Sequence, residues 1–113
     1  MIDLTNFFKQ WENNSESIEV ILTAYLDEYA EAETTLRTLF DAQNWGEIYI
    51  FSHSLKGLLV DFGEKDTSVI LAEIEQKTQI GQSVDEHLIN QTCLALPDIH
   101  AQIQTELSCF LTK

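Results

Sequence analysis

The chain has 113 residues, 44% of them apolar, with 19 acids against 6 bases and a formal net charge of −13. That length suits one domain with one core, expected to take up all of residues 1–113. The charge argues against a nucleic-acid binder, which needs basic surface to displace counterions, and against an anionic membrane surface, and no apolar run approaches the length of a membrane span.

In chain order, Leu4 to Trp11 is a short amphipathic stretch with Leu4, Phe7, Phe8 and Trp11 at helical spacing. Asn13, with Glu16 three residues on, reads as the capped start of a helix. A single long helix is predicted from there, with Ile18, Leu22, Tyr25, Leu26, Tyr29, Leu36, Leu39 and Phe40 along one face. Asn44, followed by Glu47, starts the next helix, which runs to about Phe62, and Gly63 fits its end. Another helix is predicted over Glu64 to Ile80, with Val69, Ile70 and Ile74 inward and Gly81 as its stop. The last covers Asp85 to Leu111, with Ile89, Leu96, Ile99, Ile103, Leu107 and Phe110 on one side, and Pro97 should kink or split it. No useful stretch alternates with period two. The expectation is an all-α chain: an up-down antiparallel four-helix bundle with an additional short N-terminal helix.

The N-terminus lacks the basic start and apolar stretch of a signal peptide. Cys93 and Cys109 have no metal-ligand spacing and fall at apolar helical positions, as buried thiols would. A reducing cytoplasm is the expected compartment, and a free-standing monomer the expected form.

The chemistry concentrates on Trp45 to Phe62. On a helical wheel, Ile48, Phe51, Leu55, Leu58 and Phe62 converge on one side as the core stripe. His53 falls nearly opposite, with Tyr49, Ile50, Lys56, Gly57 and Val60 around it. Ile50 and Val60 are apolar yet point away from the core, as contact-surface residues do. Gly57 sits mid-helix, where glycine costs ~1 kcal/mol relative to alanine, so close approach to the backbone would explain it. Lys56 is within reach of an anion attached to the imidazole. An exposed imidazole is neutral and nucleophilic near neutral pH and can accept a phosphoryl group. Each feature also has an ordinary explanation: a surface histidine, a packing glycine, single exposed valines. Their clustering on one face is what points to a site. His87 and His100 lack helical metal-ligand spacing and read as surface or satisfied histidines, with no metal site expected.

His53-Ser54-Leu55-Lys56-Gly57, followed by Gly63 and by the pair Ile74-Glu75, resembles the signature of histidine-containing phosphotransfer domains. The chain departs from it at Glu64, where a small residue is common, and at Thr67, where leucine is common. The resemblance implies a phosphorelay intermediate rather than an enzyme. His53 would be phosphorylated from the phospho-aspartate of a receiver domain and would pass the group to another receiver. Lys56 would be the phosphate neighbour, and Gly57, Ile50, Val60 and Tyr49 the docking surface. The partners implied are receiver domains of response regulators or a hybrid histidine kinase. The chain would need no cofactor of its own, the Mg²⁺ belonging to the receiver. Two other functions compete: a phosphate-independent module that docks on a receiver or kinase and inhibits it, and a catalytic domain with His53 as general base. The second finds no serine, cysteine or acidic partner one turn from His53 on the same face to orient it, apart from the remote Asp61.

Overall fold

The computed structural model describes residues 1–111, and these form six helices and no strand. They are α1 (Thr5–Gln10), α2 (Ser15–Glu28), α3 (Ala32–Asp41), α4 (Trp45–Asp61), α5 (Lys65–Gln79) and α6 (Glu86–Leu111). No helix among the described residues is long and apolar enough to cross a membrane.

Local chemistry sets most of the boundaries. The Asn44 side chain accepts a hydrogen bond from the Glu47 backbone N–H at 3.3 Å, capping α4 at its start. The α4 end is closed by Gly63 at φ +74°, with Glu64 N–H on Leu59 C=O and Gly63 N–H on Val60 C=O. Gly81, at φ +75°, closes α5 in the same way through Gln82 N–H to Lys77 C=O. The residues by which the chain departs from the phosphotransfer signature cooperate here. Glu64 caps α5 by accepting the Thr67 N–H at 3.0 Å, and both are buried.

Three expectations about boundaries change. The long helix is two: α2 ends at Glu28 with Tyr29 as its C-cap, and α3 begins at Ala32, whose N–H bonds back to Tyr29 C=O at 3.1 Å. Tyr25, Tyr29, Ala32 and Leu36 keep one apolar face in phase across the break, and all four are buried, so periodicity passes through it unmarked. The α2 cap is Asn14, which accepts from Ser17 N–H at 3.0 Å; Asn13 lies one residue outside, at φ +56°. Pro97 does not split α6, which runs through it over 26 residues, about 39 Å at the usual rise. That is most of the molecule's 46 Å long axis.

α4 packs most extensively on α5, α5 also on α6, α6 on both α3 and α2, and α3 on α4. One core runs through the chain, from Leu4 and Phe7 at the start to Ile99 and Ile103 in α6. In α4 the fully buried stripe is Ile48, Ser52, Leu55, Leu59 and Phe62; Phe51 and Leu58 are only half-buried, so the inward face is rotated toward Leu59 from where the wheel put it. In α5 the inward residues are Leu71 and Ile74, while Val69 is 69% exposed. Trp11 lies largely outside the core, Cys93 is half-buried and Cys109 exposed, so neither cysteine has the buried place expected of it.

The N-terminal segment lies across the α4–α5 turn. Asp3 N–H donates to Phe62 C=O at 2.8 Å, and Ile2 N–H to the Gln102 side chain at 2.9 Å. A Cβ on Gly63 would stand 2.4 Å from the Asp3 carbonyl oxygen. Gly63 is thus required twice, by its backbone conformation and by this crossing.

Candidate functional site

The inward stripe of α4 fixes which residues remain outside. With Ile48, Leu55 and Leu59 held in the core, the ~100° advance per residue turns His53 outward, and its side chain is 62% exposed. Relative to His53 on this helix, Lys56 lies to one side, and Gly57 and Ile50 to the other.

α5 supplies the partner that α4 lacks. Burial of Ile74 beside it carries Glu75 to the α4 surface. Glu75 Oε1 lies 2.7 Å from His53 Nδ1, and the Lys56 ammonium pairs with the other oxygen, Oε2. The Glu75 side chain is only 13% exposed. That partial burial pushes its carboxyl up, but the hydrogen bonds and charges of Lys56 and His53 outweigh it and hold the group below its ordinary 4.5. An ionised carboxylate only accepts, so a neutral His53 places its proton on Nδ1 and its lone pair on Nε2.

Tyr49, one turn before His53, stacks on the imidazole with ring centroids 6.0 Å apart and planes inclined by 21°. Gly57, one turn after, is exposed, and a Cβ built there meets nothing within 4 Å. Ile50 and Val60 are 56% and 59% exposed. Beside this face a groove opens between the α2–α3 break and α4. It is lined by Tyr29, Ala32, Leu39, Ile50 and Phe51, with the acids Glu28 and Glu47 beside them.

All six residues singled out in the sequence (Tyr49, Ile50, His53, Lys56, Gly57 and Val60) therefore lie along the outward part of α4, and His53, Lys56 and Tyr49 are in direct or shared contact. Asp61 is exposed, and the acid that meets His53 is Glu75. The only sequence signal for this was the Ile74-Glu75 pair of the signature. The stacking of Tyr49 was open to its i, i+4 spacing from His53.

The other histidines differ. His87 is exposed, its backbone N–H on the Asp85 carboxylate at 3.0 Å. His100 is half-buried. It packs edge-on against Tyr25 at 5.4 Å, and among the described residues neither its buried Nε2 nor the Tyr25 hydroxyl has a hydrogen-bond partner. Burial pushes the His100 imidazole down and the Tyr25 hydroxyl up. Among the described residues no group of three His, Cys, Asp or Glu could hold a metal. No protein-family model, no curated protein and no solved structure matches the chain.

Proposed function

We propose that the chain is a phosphoryl carrier of the histidine phosphotransfer type, accepting the group on His53 from the phospho-aspartate of a receiver domain and passing it to another. The observation that carries the reading is the exposed imidazole whose Nδ1 is engaged by a carboxylate that Lys56 in turn balances. In the reaction the Nε2 lone pair attacks phosphorus, the bond from phosphorus to the aspartyl oxygen breaks, and the aspartate leaves as carboxylate. The Nδ1 proton stays on the Glu75 hydrogen bond, so the positive charge developing on the ring faces an anion. Lys56, shared between Glu75 and the incoming phosphoryl oxygens, offsets the charge delivered. The Mg²⁺ of this reaction belongs to the receiver.

The cycle of contacts α3–α4–α5–α6, with α2 also on α6, supports a four-helix frame with α1 as the added helix. Gly57, Ile50 and Val60 form the approach side for the receiver, and the neighbouring groove extends it.

A His–Glu pair also suits a general base. The carrier reading is favoured because His53 stands 62% exposed on a helix face, and the lining of the adjacent groove reaches Ile50 and Ser54 but not His53. That arrangement suits a macromolecular donor better than an enclosed small substrate. The test is incubation with a phosphorylated receiver domain, followed by intact mass. The reading expects the gain of one phosphoryl group, acid-labile and base-stable, and its loss in His53→Gln with helical content unchanged. Labelling that persists in His53→Gln overturns it.

A further inference from the structure

We infer that Tyr49 is a positioning residue for His53: its ring, together with the Glu75 carboxylate, fixes the imidazole plane and holds the proton on Nδ1, so that phosphoryl acceptance is confined to Nε2. The inference rests on the reading of His53 as the acceptor.

An exposed histidine on a helix turns about two side-chain torsions and exchanges between two neutral tautomers, so either nitrogen can present a lone pair. The hydrogen bond from Nδ1 to Glu75 at 2.7 Å holds one ring atom in place but leaves the plane free to swing about it. Tyr49 closes that freedom. Side chains one turn apart on a helix lie over one another, and here the two rings are inclined by only 21° at 6.0 Å. A flat, offset neighbour flanks the imidazole on one side and disfavours a swing toward it that would lift Nδ1 from the carboxylate. Tyr49 itself is half-buried, so it moves less freely than the ring it supports.

The remaining side is open. Around α4 from His53, Gly57 lies on the side away from Lys56 and Glu75, and space for a Cβ there is empty. Stacking ring, carboxylate and open glycine together leave one nitrogen and one direction of approach. Stacking through the ring, not the hydroxyl, makes the role transferable to phenylalanine and not to alanine.

The experiment uses the full ¹⁵N-labelled chain, with Tyr49→Ala and Tyr49→Phe beside it. Long-range ¹H–¹⁵N correlation at neutral pH reads the His53 tautomer without any phosphoryl donor. Phosphoramidate then loads the ring: Nε2 attacks phosphorus and ammonia leaves. Nitrogen and phosphorus spectra identify the nitrogen that carries the group. The wild type is expected to be mainly the Nδ1–H tautomer and to give only the Nε2 product. Tyr49→Ala is expected to show mixed tautomers, several-fold slower loading and some Nδ1 product, with melting temperature little changed. Tyr49→Phe should behave as wild type. A wild-type tautomer and a single product in Tyr49→Ala overturn the inference, as does Tyr49→Phe behaving like Tyr49→Ala. Failure of transfer from a phospho-receiver would instead sink the carrier function and leave the tautomer result standing, so the two failures are distinguishable.

Discussion

Gly57 and Gly63 lie close together in the sequence, and each carries a different kind of information. Gly63 is held by the molecule itself: φ is +74°, and the backbone of Asp3 crosses where its side chain would be. Gly57 is held by nothing inside the chain, since a side chain there would enter empty space. The contrast extends to the two sides of α4. Ile48, Leu55, Leu59 and Phe62 are accounted for by packing. Ile50, Gly57 and Val60 are exposed, and on the proposed carrier reading this face, with its helix-weakening glycine between two exposed apolar residues, is where a receiver docks.

The largest expected effect lies on the buried side. Leu59 is fully buried, although it lies outside the stripe the wheel selected. Leu59→Ala should lower stability by about 2–5 kcal/mol, the range for leucine truncation in a packed core. A loss below about 1 kcal/mol in chemical denaturation would return Leu59 to the surface and the inward face to the Phe51–Leu58 side.

Gly63→Ala comes next. The left-handed conformation alone costs a residue with a Cβ about 1–2 kcal/mol, and the contact with Asp3 adds to it unless the N-terminal segment lifts away. The denaturation midpoint should fall by more than the conformational cost alone explains. In a chain truncated before Leu4 the penalty should shrink to that cost. An equal penalty in both backgrounds would remove the crossing as a cause.

How much of this was legible follows the same division. Helix ends written in special residues were readable: Asn44 as a cap, Gly63 and Gly81 as stops. The α3 end was not, because Gln43 adopts φ +55° there, a conformation its side chain does not advertise. The α2–α3 break was hidden because apolar spacing continues through it. At the site, a wheel drawn for α4 alone put His53, Lys56 and Gly57 outward. It could not supply Glu75, whose meeting with His53 depends on the register between α4 and α5, a property of packing and not of either helix.

Titration separates the two sides by pH. His100 is pushed down from its ordinary 6.5 by burial against Tyr25. Above that value it is neutral whether folded or unfolded and adds no pH dependence. Below it the unfolded chain takes up a proton that the folded chain resists, so stability falls as pH drops and levels off only once the folded imidazole is also protonated. The Glu75 carboxyl works at lower pH: burial raises it, but Lys56 and His53 hold it below 4.5, so its contribution is complete above 4.5 and is lost as pH falls through the lowered value. Denaturation midpoints measured across about pH 5.5–7.5 should slope in the wild type and flatten in His100→Phe, while Glu75→Gln leaves that near-neutral slope in place. A slope unchanged in His100→Phe would assign it to other groups.

The smallest effect is the most diagnostic for the comparison. Gly57→Ala puts a methyl group into open space on a helix, where alanine is the better former by ~1 kcal/mol. Stability should therefore rise by about 0.5–1 kcal/mol, opposite in sign to Gly63→Ala. Gly57→Gln should also fold, because its longer side chain meets no neighbour at its base. On the carrier reading it stands beside His53 on the approach side, so transfer from a phospho-receiver should drop sharply while loading by phosphoramidate, which needs no docked protein, stays near wild type. Destabilisation by Gly57→Ala would mean that the space beside His53 is filled by the chain itself, and the distinction between the two glycines would collapse. Equal losses of transfer and of phosphoramidate loading in Gly57→Gln would place the damage at the imidazole instead of at the surface where a receiver docks.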